Sequence, residues 1–161
     1  MSNLSRHVAR RLLLVAALAV PAGACEYAFD PDGHEARELE RARDRWRREG
    51  PKDYRYEFEL HCHCIEEPHR PVVVWVRNGA VYDAVYADNG GPVPDEDLRF
   101  YRTIDGLFEV IGDAINRRAD FLDVEYDREY GYPRFVEIDY EYRTADDEVS
   151  FTVRRFRPGR F

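Results

Sequence analysis

Two histidines and two cysteines alternate in the segment His61-Cys62-His63-Cys64. Residues two positions apart in a β-strand point to the same side of the sheet. His61 and His63 would therefore share one face and could chelate one metal ion, for which imidazole ligands suit zinc or copper. The alternative is a pair of exposed histidines on the polar side of a half-buried strand, and the spacing alone leaves both interpretations open.

The cysteines lie on the opposite face of the same predicted strand. All four side chains therefore cannot bind one ion while the strand stays regular. A bond between Cys62 and Cys64 requires a bend, because the Cα atoms of alternate strand residues lie near the upper limit of about 6.8 Å for a disulfide. In an oxidising compartment we expect this disulfide. Two buried reduced thiols are the alternative.

The first 24 residues have the three parts of an export signal. Arg6, Arg10 and Arg11 form the basic part, and residues 12–20 form an apolar run. Residues 22–24 (Ala-Gly-Ala) provide the small side chains of a cleavage site. The apolar run is too short for a membrane-spanning helix, which needs about 20 residues. We predict a signal peptide over residues 1–24.

Cys25 directly follows this cleavage site. Small residues before a cysteine are typical of a bacterial lipobox, although Ala22 stands where leucine is usual. Lipidation of Cys25 would leave Cys62 and Cys64 as a pair, which avoids an odd thiol in an exported protein. We therefore expect a cell-envelope lipoprotein that is held at the membrane by acyl chains only. A soluble periplasmic or secreted protein is the alternative.

The composition is that of a single globular domain. The chain has 161 residues, of which 44% are hydrophobic and 35% charged, and its formal charge is −8. This acidic balance argues against nucleic acid as a partner, because phosphate binding needs a basic surface. We expect residues 25–32 to form a tether and residues 33–161 to form one domain.

Hydrophobic periodicity predicts the elements that carry these residues. One helix ends at Gly50, and a second begins after the capping residue Thr103. Asn78-Gly79 is a strong hairpin signal between two strands. The order αβββαβββ with short turns predicts an α+β two-layer sandwich, in which about six mostly antiparallel strands have two helices packed on one face. The predicted strands are 53–64, 72–77, 80–87, 121–127, 134–142 and 148–156.

Several short motifs follow one another in a distinctive order. They are Asp53-Tyr54-Arg55-Tyr56, Cys62-x-Cys64, Val76-Arg77-Asn78-Gly79, Thr103-Ile104-Asp105-Gly106-Leu107-Phe108, Tyr126-Asp127, Gly131-Tyr132-Pro133 and Asp146-Asp147-Glu148. In this order they resemble an uncharacterised family of bacterial lipoproteins known only as a domain of unknown function, over residues 40–156. The resemblance implies an exported, often lipid-anchored domain, and it implies no activity.

The sequence contains no constellation typical of an enzyme. It lacks the G-x-S-x-G nucleophile motif and the glycine-rich loops that bind phosphates, and Ser150 is its single serine after residue 24. We therefore expect a non-enzymatic domain without a cofactor, which binds an unknown protein or peptide partner in the envelope. The alternative is an envelope metal-binding protein that uses the His61-x-His63 pair to hold zinc or copper.

Overall fold

A computed structural model describes residues 31–62, 70–141 and 148–160. These residues form two α-helices, one short 3-10 helix and six β-strands. None of the helices in these ranges is long and apolar enough to cross a membrane. The elements in chain order are α1 (Pro31–Glu49), β1 (Tyr54–Cys62), β2 (Val72–Arg77), β3 (Ala80–Tyr86), the 3-10 helix (Asp95–Phe100), α2 (Ile104–Arg117), β4 (Phe121–Tyr126), β5 (Pro133–Asp139) and β6 (Glu148–Pro158).

All six strands belong to one antiparallel sheet of order β3-β2-β1-β6-β5-β4. The predicted α+β class and the six antiparallel strands are confirmed. The predicted order αβββαβββ is incomplete, because the 3-10 helix lies between β3 and α2. Asp95, Glu96 and Asp97 suit the first turn of a helix, but this six-residue segment is too short to show the hydrophobic repeat on which a helix prediction depends.

The apolar face of β1 is buried as its alternating pattern predicts. Tyr54, Tyr56, Phe58 and Leu60 are each at most 8% exposed, and they join a core to which both α-helices contribute. Trp46 of α1 packs edge-on against Tyr54, with ring centroids 5.3 Å apart. Because apolar side chains leave water at this face, their burial is the main force that holds the helices on the sheet.

Helix α2 is fixed at its first turn by its cap and by β1. Thr103 Oγ1 accepts a hydrogen bond from the Gly106 amide at 3.1 Å, which confirms the predicted cap. The Tyr54 hydroxyl accepts a hydrogen bond from the Ile104 amide at 2.8 Å, and the Tyr56 hydroxyl donates one to the Arg102 carbonyl. Two tyrosines of β1 therefore set where α2 begins over the sheet.

Candidate binding cleft

A cleft of about 440 Å³ lies on the helix side of the sheet, beside α2. A volume of this size is in the range of small-molecule and side-chain pockets. Its floor is built from apolar residues of β1, β5 and β6 and from the facing side of α2. These floor residues are Phe58, Leu60, Leu107, Val110, Ile138, Val149 and Phe151.

The rim of the cleft carries charges of both signs. Arg99 lies in the last turn of the 3-10 helix and Arg102 lies between that helix and α2, whereas Glu109 and Asp113 lie on α2 itself. All four residues are exposed to solvent. An occupant would therefore meet apolar surface below and both cationic and anionic groups around it, an arrangement that selects by shape and by charge pattern.

Tyr140 belongs to the lining of the cleft, and a second tyrosine, Tyr101, lies buried against the floor residue Phe58. The Tyr140 hydroxyl donates a hydrogen bond to Asp113 Oδ2 at 3.4 Å, and burial together with the Asp113 carboxylate raises the pKa of Tyr140. Tyr101 packs edge-on against Phe58 at 6.4 Å, and burial raises the pKa of Tyr101 to about 12. Both hydroxyls therefore stay protonated at neutral pH, but only Tyr140 lines the cleft, because the Tyr101 hydroxyl is fully buried and has no hydrogen-bond partner among the described residues.

The described lining of the cleft consists of apolar and aromatic side chains together with arginines and carboxylates. Among the described residues that line it, none is a serine, threonine, cysteine, histidine or lysine. The described lining can hold an apolar group and orient charged groups around it.

The predicted metal site lies on the opposite face of the sheet, and the structure describes only part of it. His61 is exposed near the end of β1, and its Nε2 atom lies 3.4 Å from Glu59 Oε1. Glu59 also accepts a hydrogen bond from Arg154 Nη1 at 2.8 Å. His63 lies outside the described residues. Within the described ranges, no group of three or more His, Cys, Asp and Glu residues could hold a metal ion.

The predicted cysteine sites lie mostly outside the ranges that the structure describes. Cys62 belongs to β1, where its Cα partner is Val149 of β6. Cys64 and Cys25 lie outside the described residues. The disulfide and the lipidation therefore stay predictions.

An ion pair on the open face of the sheet joins the buried carboxylate of Glu57 to the exposed side chain of Arg155, and the sequence did not predict it. Glu57 is only 9% exposed, and its Oε2 atom lies 2.5 Å from Arg155 Nη1. A register irregularity between β1 and β6 accompanies a positive φ of 49° at Arg155. An irregularity of this kind, a β-bulge, changes the direction in which nearby side chains point. No local sequence pattern predicts this ion pair, because its two residues are 98 positions apart.

The cleft was also missed at the sequence level. Its floor residues lie on predicted strands and on the predicted second helix, and its rim belongs partly to a segment that had no predicted element. The available signal was the acidic turn that precedes Leu98 and Phe100. That signal locates a short helix and does not reveal which strands lie beneath it.

A model of a protein family of unknown function matches residues 38–158, most of the 161-residue chain. The match confirms the resemblance to an uncharacterised family that the motifs between residues 40 and 156 indicated. No curated protein and no solved structure gives a significant match to the chain.

Proposed function

The chain belongs to DUF6174, a family of unknown function. We propose that this member is an exported, lipid-anchored cell-envelope protein. We propose further that its folded domain binds a protein or peptide partner without catalysing a reaction. The binding part of the proposal depends on the cleft beside α2. The envelope part depends on the leader sequence and on Cys25.

The observation that carries the binding function is the combination of an apolar floor and a rim of mixed charge. We propose an amphipathic peptide segment of a partner protein as the occupant. Its apolar side chain would bury itself on Phe58 and Leu60, an acidic group would face Arg99, and a basic group would face Asp113. Apolar burial supplies the affinity of such a contact, and the charges supply its specificity.

Site-specific cross-linking in the native envelope tests this function. A photoreactive p-benzoylphenylalanine that replaces Val110 on the cleft floor should cross-link a protein partner. The same group in place of Asn116, an exposed residue of α2, should not. Changing Arg99 and Arg102 to glutamate should abolish the cross-link because it reverses the charge on the cationic side of the rim. Arg134→Glu, at an exposed position of β5, is the matched charge control.

Three outcomes would contradict the proposed partner. A cross-link that persists after the rim charges are reversed would mean that the charges do not select the occupant. An adduct with the mass of a lipid would place an acyl chain in the cleft. Equal labelling from positions 110 and 116 would show that the cleft has no special role.

Intact mass spectrometry of the full-length chain, expressed in an exporting bacterium and extracted from its membranes, tests the envelope part. We expect the loss of residues 1–24, an acyl modification on Cys25, and a mass lower by two hydrogens for the Cys62–Cys64 bond. Cys25→Ala should release the protein from the membrane fraction. An unmodified mature chain in the periplasm or medium would favour the soluble alternative, and two free thiols would contradict the disulfide.

A metal-binding function is the second candidate, and the closeness of His61 to Glu59 favours it. Native spectra of the same preparation would then retain one zinc or copper ion per chain. The double substitution His61→Ala and His63→Ala should remove that ion, whereas His34→Ala, in α1, should leave it bound. A metal-free native spectrum would contradict this candidate.

A further inference from the structure

The two outer strands of the sheet differ in what lies along their free edges. Strand β3 is covered by the chain that follows it, because the Val93 amide donates to the Ala84 carbonyl at 3.0 Å and the Tyr86 amide donates to the Gly91 carbonyl at 2.9 Å. An isolated bridge between Val85 and Pro92 continues this cover. Returning chain is one way in which proteins protect a sheet edge.

Strand β4, at the other end of the sheet, has no such cover from the described residues. It pairs with β5 on one side, and no described backbone group donates to or accepts from its outer edge. Phe121, its first residue, is 47% exposed. A strand edge with unpaired amides and carbonyls is a template for one more strand.

A groove of about 210 Å³ lies between α1 and β4. Half-buried Leu122 and Val124 contribute its apolar part, and Glu35 and Glu38 of α1 contribute carboxylates. A strand added beside β4 would direct alternate side chains towards this groove and towards the open face. The groove therefore offers the added strand a place for half of its side chains.

The open side of the same edge is acidic. Asp123 and Glu125 of β4 are exposed, and Asp123 pairs directly across the sheet with exposed Glu137 of β5. Like charges that face each other across strands are destabilising. Lysine or arginine side chains of an added strand would relieve this repulsion, so the open side of the edge favours a basic occupant.

We propose that the outer edge of β4 accepts an extended basic segment of a partner protein as a seventh strand of the sheet. Backbone hydrogen bonds would supply affinity, and the carboxylates beside the edge would supply selectivity, as in other cases of strand addition. A second copy of this chain is disfavoured as the occupant, because edge-to-edge pairing would bring the Asp123 and Glu125 carboxylates of both copies together.

Nuclear magnetic resonance with the full chain and two synthetic peptides tests the proposal. One peptide alternates lysine and valine over about eight residues, which is enough to span a strand, and the other has glutamate in place of lysine. The lysine peptide should slow hydrogen exchange of the β4 amides that point away from β5 and shift the signals of Leu122 and Val124. The glutamate peptide should do neither.

Charge reversal at the edge provides the decisive comparison. The double substitution Asp123→Lys and Glu125→Lys should lower the affinity for the lysine peptide by about tenfold. It should also allow the glutamate peptide to bind. Asp83→Lys, at an exposed position of β3, is the control that should change neither affinity. If the double variant does not fold, the nearly isosteric substitution Asp123→Asn replaces it in the test. Asp123→Asn should lower the affinity for the lysine peptide more than Asp83→Asn does.

Several results would overturn the proposal. One is equal binding of both peptides, and another is an affinity for the lysine peptide that the double variant does not change. Slow exchange, without any peptide, of the β4 amides that point away from β5 would show that the edge is already covered. The cover would be a second copy if this protection grows with protein concentration, and a segment of the chain outside the described residues if it does not.

Discussion

Replacing Trp46 by alanine is expected to lower the free energy of unfolding by about 3–5 kcal/mol. Trp46 is 5% exposed, and its ring lies edge-on to Tyr54 at 5.3 Å and to Phe156 at 5.9 Å. Its Nε1 atom also donates a hydrogen bond to Asp105 Oδ2 of α2 at 3.3 Å. One side chain thus joins α1 to β1, β6 and α2, and its removal leaves a cavity that rigid neighbours cannot fill.

Urea denaturation followed by far-ultraviolet circular dichroism measures this effect, because it does not depend on tryptophan fluorescence. The matched control is Trp75→Ala, the same change at the chain's other tryptophan. Trp75 lies on β2 between the Cα partners Arg55 and Asp83 and is only partly buried, so its loss should cost about 1–2 kcal/mol. Equal losses in the two variants would contradict the role assigned to Trp46.

Replacing Gly131 by alanine is expected to lower the free energy of unfolding by about 3 kcal/mol or more. Gly131 has a φ of +85°, a region that L-residues adopt only with strain. A Cβ atom at this position would lie 2.6 Å from the Ala42 carbonyl oxygen and 3.0 Å from Arg45 Cβ, both on α1. Because the nearer atom is backbone, the loop between β4 and β5 would have to move away from the helix.

The variant Gly79→Ala separates the two contributions to this loss of stability, which are the strain of a positive φ and the clash of the new Cβ atom with α1. Gly79 has a similar φ of +75°, but a Cβ atom there would meet nothing within 4 Å. The hairpin variant should therefore lose only the conformational part, about 1–2 kcal/mol. Thermal denaturation of both variants would measure the difference in stability. If Gly131→Ala is as stable as Gly79→Ala, a Cβ atom at position 131 does not clash with α1.

Local sequence was sufficient wherever neighbouring residues decide the outcome. The alternation from Tyr54 to Leu60 predicted which face of β1 is buried. Asn78-Gly79 predicted a hairpin, and both residues adopt positive φ, at 51° and 75°. Thr103 predicted the start of α2. Each of these features depends on side-chain spacing or backbone preference within a few residues, so the surrounding fold had little influence on them.

The candidate sites depend on contacts between distant parts of the chain. Insertion of β6 between β1 and β5 brings Phe151 beside Leu60 and Arg155 onto Glu57. The same insertion leaves β4 at an end of the sheet. No short-range pattern chooses between this strand order and others with the same elements, because every order buries the same apolar faces.

The sequence by itself therefore determined the class of the fold, the buried face of β1, the cap of α2 and the membership of an uncharacterised family. Only the tertiary structure decided where the cleft beside α2 lies, that Glu57 is buried and pairs with Arg155, and which strand edge has no cover from the described residues. The physical reason is that hydrophobic periodicity records whether a residue is buried. Which distant residues share its surroundings is set by packing of the whole chain.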